Sequence, residues 1–453
     1  MAERLGAYPA AVDARPEHLP WNFGVITLDA GFYIFALAFA DANTVLPAFI
    51  SRLTPSPIAI GAIAAIRGAG WFLPQLLVAS RLAHRERKKS FMVLVCLLGR
   101  VPMLSVIAAL LIAPSNAALG LGALFFAIVV FAFSEGASGV PWTDIVAKAI
   151  PDRLRGRFFA SMQIFGGLAA AGAGLVVKHV LESPAITYPR NYALLFSLTW
   201  LFLMVSLAFL AMIREPIRPV REQEIRVGEL VRQAPAMLRR RPGLVRLVIV
   251  EFAFAAALMA APFYVVYATR HLSVPESMVG AFVSVQMLAG MAGGLLLGYL
   301  SDRRGSATAI RVTAVGAIIC PLVALIVPML SPGGLAGGWV WCYSGVFAFL
   351  ALVLSGTWIG PMNFLLESVS HEERAGYVGL LNTLVTPQCV FPLVGSCIAA
   401  AGSYTALFAA SLACGVVSLA LALTLKDPRA HTELTDDVCE GDNMARGRAE
   451  DER

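Results

Sequence analysis

Five ionisable side chains lie where the surrounding sequence is apolar: Asp29, Asp41, Arg67, Arg100 and Glu135. Each is inside a run long enough to cross a bilayer, where a charge costs about 2.5–3.5 kcal/mol on insertion scales. A charge kept there faces a cavity or a partner. On a continuous helix Asp29 and Asp41 would be about 18 Å apart, too far to share one base. The spacing therefore predicts two tiers, Asp41 with Arg67 toward the outer end, and Arg100 with Glu135 or Asp29 toward the inner end. Three acids then stand against two bases. Removal from water disfavours an acid's charged form, so the unmatched carboxylate suits reversible protonation. Fixed structural bridges and direct contact with a substrate remain open as the other two roles.

The elements that must position these charges follow from composition. Of 453 residues, 58% are hydrophobic and only 14% charged, with a mean hydropathy of +0.74. Soluble chains run about 45–50% apolar and about 25% charged, and this surplus is too large to bury in a water-soluble core. Soluble enzyme, disordered chain and secreted disulfide scaffold are excluded, and lipid is the expected solvent. Spanning runs fall at 22–50, 57–80, 91–113, 117–142, 157–181 and 191–213, then at 247–269, 277–300, 308–330, 338–363, 376–401 and 403–425. Unpaired backbone is not tolerated in hydrocarbon, so each should be a helix. The fold class is an all-α polytopic membrane protein of 12 transmembrane helices.

Loops after the even spans and their margins carry 22 Lys and Arg, against 4 for those after the odd spans. The positive-inside rule puts the first set, and both termini, in the cytoplasm of a cell-membrane protein. The same bias accounts for the net charge of +6 without a nucleic-acid partner. Five regions are expected: a cytoplasmic N-terminal segment 1–21, a first six-helix bundle 22–213, a cytoplasmic linker 214–246, a second bundle 247–425, and a disordered cytoplasmic tail 426–453. The first apolar run has the length of an uncleaved span rather than of a signal peptide. The seven cysteines form no Cys-x-x-Cys or Cys/His cluster, so neither a metal site nor a disulfide framework is indicated.

The two halves repeat. Leu82-Ala83-His84-Arg85 and Leu300-Ser301-Asp302-Arg303 are offset by 218 residues, Pro141 and Pro361 by 220, and Arg155-Gly156-Arg157-Phe158 and Arg374-Ala375-Gly376-Tyr377 by 219. This is a parallel duplication of six spans. At these residues the chain resembles the major facilitator superfamily. Gly298-Tyr299-Leu300-Ser301-Asp302-Arg303-Arg304-Gly305 is similar to the family's loop motif. The copy after span 2 keeps Arg81 and Arg85 but has His84 at the Asp position, and Ile150 to Arg157, with Arg153 and Arg155, resembles the loop before span 5.

The resemblance implies two bundles around a cavity lined chiefly by spans 1, 4, 7 and 10, working by alternating access. It also implies an intracellular latch, with Asp302 and Arg303 on Glu367 or Arg374, and Arg81 or Arg85 on Asp144; plain topology signalling is the alternative. On the cavity-type helices Asn43, Asn363, Tyr264, Tyr267 and Trp358 are candidate lining. Glu135, on span 4, becomes the first candidate for the coupling proton and Asp41 the second, while Asp29 can reach the interface. Small faces at Gly290, Gly294 and Gly298 and at Gly166, Ala170 and Gly174 suit close helix packing.

The expected function is secondary transport of a small molecule, proton-coupled, without a cofactor, by a monomer in the lipid bilayer. Export of a fairly apolar compound is favoured over nutrient import or lipid carriage. A membrane enzyme would need a catalytic constellation near one face, and the six histidines do not group into one. A transporter-like sensor is the other non-transport alternative.

Overall fold

The computed structural model describes residues 18–82, 85–217, 241–331, 337–369 and 374–429, with Leu335 and four isolated positions between 218 and 240. Expectations for most of the 1–21 segment, for His84, for most of the 214–246 linker and for the tail beyond 429 fall outside the described residues, as does the side chain of Arg374. Among the described residues twelve helices are long and apolar enough to cross a membrane. Spans 1–6 are Leu19–Ala38, Pro57–Gln75, Lys89–Ile112, Ala117–Ala149, Arg153–Glu182 and Arg190–Met212. Spans 7–12 are Pro242–His271, Met278–Arg304, Ser306–Leu330, Gly338–Ser368, Tyr377–Ala400 and Tyr404–Leu423. The chain is a multi-pass membrane protein. Twelve crossings return it to the side it left, which gives a terminal face and an opposite, far face.

One span differs from the sequence reading. The run 22–50 is not one helix: span 1 ends at Ala38, and a separate short helix, Val45–Leu53, follows. Asp41 therefore lies in a break rather than on a helix face. Proline interrupts other spans by removing a backbone donor. Span 3 divides into Lys89–Arg100 and Met103–Ile112 around Pro102, span 7 passes through a tight turn Leu258–Phe263 at Pro262, and span 11 through Thr386–Val390 at Pro387.

Span 1 packs on spans 5 and 6, span 2 on span 4, and span 3 on spans 4 and 6; in the second half span 9 packs on 10 and 12, 8 on 10, and 7 on 12. The halves meet where span 5 packs on span 8 and span 2 on span 11. Ile112, Leu175 and Met329 are more than 60% exposed, as a surface facing lipid rather than water permits.

Glycines set the closeness of the junction, though not all those expected. A Cβ on Gly280 would run into the backbone of Gly174 and Lys178, and one on Gly61 into Ser396 and the Pro392 carbonyl. Beside them Ser284 Oγ donates to the Ala171 carbonyl at 2.8 Å. Gly294 and Gly298 instead face open space, a Cβ on Gly290 would meet Ala351 only at an ordinary contact of 3.6 Å, and Gly166 packs on Ile34 of its own half.

Candidate functional site

A cavity of about 750 Å³ separates the halves. Its lining runs from mid-span residues such as Gly68 and Leu258 to Met92, Leu210 and Val378, each within a turn of the terminal face. It is thus offset toward the terminal side, with the glycine-tight junction beyond it. The walls are largely apolar and aromatic, with Tyr33, Trp71, Phe72, Trp142, Phe254 and Trp358. Among the described residues three acids and one base line it: Asp29, Glu135, Glu251 and Arg100.

Asp29 lies on span 1 one turn before Tyr33, so both reach the same wall. The Asp29 side chain is 4% exposed and accepts a hydrogen bond from Ser206 Oγ on span 6 at 2.7 Å. Arg100, 3% exposed at the Pro102 break, donates through Nη1 to the Leu203 carbonyl, while its buried Nε has no acceptor. On span 4 the buried Oε1 of Glu135 has no donor, and its electrostatic neighbours are Arg100, Tyr33 and Arg67.

The expected ion pairs are not formed. Neither Arg100 with Glu135 or Asp29, nor Arg67 with Asp41, closes to within 4.0 Å. The break in span 1 explains the second case. Asp41 holds the break itself, accepting from the Asn43 N–H at 3.0 Å, two residues on as in an Asx turn, and from the Thr44 hydroxyl at 2.7 Å, and its other oxygen accepts from Gln286 Nε2 at 3.0 Å. Arg67 instead lines a separate cavity of about 200 Å³ with Asn43.

By the apolar run 247–269, Glu251 would sit one turn into span 7. That span starts at Pro242, so Glu251 lies about 13 Å in and faces the cavity. Its signal was that no other Asp or Glu falls inside the apolar runs of the second half. Of the expected lining, Trp358 does face the cavity. Asn363 instead donates to Ser301 Oγ at 2.9 Å, Tyr264 is 2% exposed in the core, and Tyr267 packs on His271 and Tyr404. Asn382 and Gln388, on span 11, do line it.

The far face is closed by bonds that cross between halves. Glu276 accepts from Arg52 Nε at 3.1 Å and from the Tyr192 hydroxyl at 2.7 Å, and Arg270 donates to the Ser51 carbonyl at 2.8 Å. The hydrogen bond to Glu276 raises the Arg52 pKa above its ordinary value, so the guanidinium keeps its proton at any pH the protein meets.

At the terminal face Asp144 and Glu367 are each bonded within their own half. Asp144 is held by Lys88 at 3.1 Å and Lys148 at 2.6 Å, rather than by Arg81 or Arg85. Arg155 caps the end of span 4 through the Ala147 carbonyl at 3.0 Å, next to Arg153 at the start of span 5. Glu367 is held by Arg429 Nε at 3.1 Å and Ser306 Oγ at 2.6 Å, not by Asp302 or Arg303. Arg303 lies over the Tyr299 ring at 5.1 Å, and the Asp302 carbonyl accepts from Arg429 Nη1 at 2.9 Å. Gly305 has φ +82°, and the Asp427 carboxylate fills the place of a Cβ; only glycine meets both conditions.

The family model described as Major Facilitator Superfamily matches residues 23–386. No curated protein sequence matches the chain. Among solved structures, a variant of the nucleoside transporter NupG is similar at TM-score 0.69 with 13% identity, over 89% of this chain and 98% of that one. A bacterial homologue of the iron transporter ferroportin in an inward-facing state reaches 0.66 with 12% identity, over 90% and 99%. A D-xylose-proton symporter reaches 0.66 with 13% identity, over 89% and 96%.

Proposed function

Since this chain belongs to the major facilitator superfamily, and is on that ground a transporter of the cell membrane, we propose that it is a proton-coupled carrier exporting a fairly apolar small molecule through the central cavity. The reading takes the terminal face as cytoplasmic, on the strength of the Lys and Arg bias. Substrate enters the cavity from that side, and the far-face junction opens to release it. Apolar and aromatic walls favour export, because an apolar compound diffuses inward across lipid unaided, and only its uphill removal needs a carrier.

Coupling is assigned to Glu135. The observation that carries it is the buried Oε1 without a donor, in a cavity wall shared with the open Nε of Arg100. An ionised Glu135 is drawn to Arg100, and a protonated one is released, so proton uptake changes how spans 3 and 4 are held. That the D-xylose-proton symporter shares this fold is consistent with proton coupling. Glu135→Gln should abolish accumulation against a gradient in proteoliposomes while leaving substrate binding and exchange intact. Concentration of substrate by Glu135→Gln in response to a pH gradient would overturn the assignment and direct attention to Asp29. Loss of binding that is restored by also removing Arg100 would make the pair structural.

A further inference from the structure

Among the described residues the second half of the cavity wall carries one carboxylate, and it is on a different helix from the groups above. Glu251 faces the cavity with Phe254, Ala255 and Leu258, three, four and seven residues on along the same helix face. From spans 10 and 11 the wall continues with Trp358, Pro361 and Leu381. Among the described residues no hydrogen bond or ion pair reaches the Glu251 carboxylate. Among the described residues no base from spans 7–12 lines the cavity, and the one base in the lining, Arg100, has Asp29 and Glu135 on its own side.

A carboxylate in such a wall is stable when it is neutral or when it meets a cation. The rest of the cavity favours the cation. Its volume of about 750 Å³ is that of a drug-sized ligand site. Trp358, Trp71 and Trp142 present rings that attract positive charge. The serine and threonine hydroxyls of the wall are already engaged. Ser138 donates to the Glu135 carbonyl at 3.0 Å, Thr357 to Leu354 at 3.1 Å, and Thr143 to Gly139, each back to its own helix.

We propose that the cargo is a lipophilic organic monocation, an amine or onium with an apolar body, whose positive centre is anchored by Glu251 in the central cavity. This rests on the carrier reading above and names its substrate class. Charge selection and coupling then divide between the halves, with Glu251 on span 7 holding the cation and Glu135 on span 4 handling the proton.

The test uses purified full-length protein with tetraphenylphosphonium, whose charge is fixed, and triphenylphosphine oxide, an uncharged aromatic comparator. Binding is read by equilibrium dialysis and by the thermal unfolding midpoint. The cation should bind the wild type and raise its midpoint, and the oxide should do so far more weakly. Glu251→Gln should weaken cation binding about thirtyfold or more, as loss of one partner of a buried charge pair does, with oxide binding unchanged. Glu251→Asp should retain much of it. Equal binding of cation and oxide by the wild type would overturn the proposal without any variant, as would unchanged cation affinity in a Glu251→Gln protein with a wild-type unliganded midpoint. Glu135→Gln separates the two readings: it should still bind tetraphenylphosphonium. If cation selectivity fails while Glu135→Gln still uncouples transport, the carrier stands and the substrate class falls. If proteoliposomes move no compound at all, the carrier reading itself fails.

Discussion

The two ends of the molecule are held by different means. At the far face the bonds cross between halves: Arg52 and Tyr192 on Glu276, Arg270 on Ser51, Gln286 on Asp41. At the terminal face each half is tied to itself, through Lys88 and Lys148 on Asp144 and through Arg429 and Ser306 on Glu367. Under the proposed transport cycle the far face would be the closure to be undone, and the terminal ties would keep each half together as it moves. A change that weakens the far face should shift access, and a change at the terminal ties should alter the stability of one half.

The largest effect is expected at Gly280. Its backbone lies against Gly174 and Lys178 with no room for a Cβ, and overpacking of this kind costs about 1–3 kcal/mol. Because each half has its own packing, Gly280→Leu should fold but fail to close, with the population shifted about fivefold to 150-fold away from the far-closed form. Distances between spin labels placed across the far face should lengthen, and transport should be largely lost. An unchanged distance distribution would mean that the junction is not the closing surface.

Glu276 should come second. Its removal disconnects both Arg52 and Tyr192, but Arg52 is 40% exposed along its side chain, and exposed pairs contribute about 0–1 kcal/mol. With the tyrosine hydrogen bond at about 1 kcal/mol, Glu276→Gln should shift the same distances by a few-fold in population and leave the fold intact. An effect as large as that of Gly280→Leu would place the closure in the polar bonds rather than in the packing.

Much of this organisation was legible in the chain. Lipid admits few backbone solutions, so apolar runs at spanning length could be read directly as helices, and the Gly298 to Gly305 motif and the repeat pointed to the family. The site was legible only in part. Asp29, Arg100 and Glu135 were marked by the cost of burying charge, and they do meet at one cavity. Pairing was not legible, because it depends on local backbone: a helix ending at Ala38 left Asp41 in a turn bonded to Asn43 and Thr44, and no hydropathy pattern distinguishes a break from a continuation. The depth of Glu251 was hidden for a related reason, since the span begins at Pro242, several residues before its apolar run. Tyr264 and Asn363 were sorted wrongly because hydropathy gives depth but not rotation, and each turns toward a neighbouring helix.

The smallest expected effect lies at Arg429, and it tests the comparison from its other side. This residue joins the chain after span 12 to the end of span 10 and to the Asp302 carbonyl, all within the second half. Its side chain is 44% exposed, so Arg429→Ala should cost about 1 kcal/mol or less. That loss should appear as a modest drop in the thermal midpoint, while the distances across the far face stay as in the wild type. The Gly305 turn should persist, because its left-handed backbone is set by glycine and not by Arg429. Glu367→Gln weakens the same tie from its acceptor end and should give a matching result. If either variant instead moves the far-face distances as much as Glu276→Gln does, then the two ends are coupled through the second half. The division between a breakable closure and fixed ties would then be wrong.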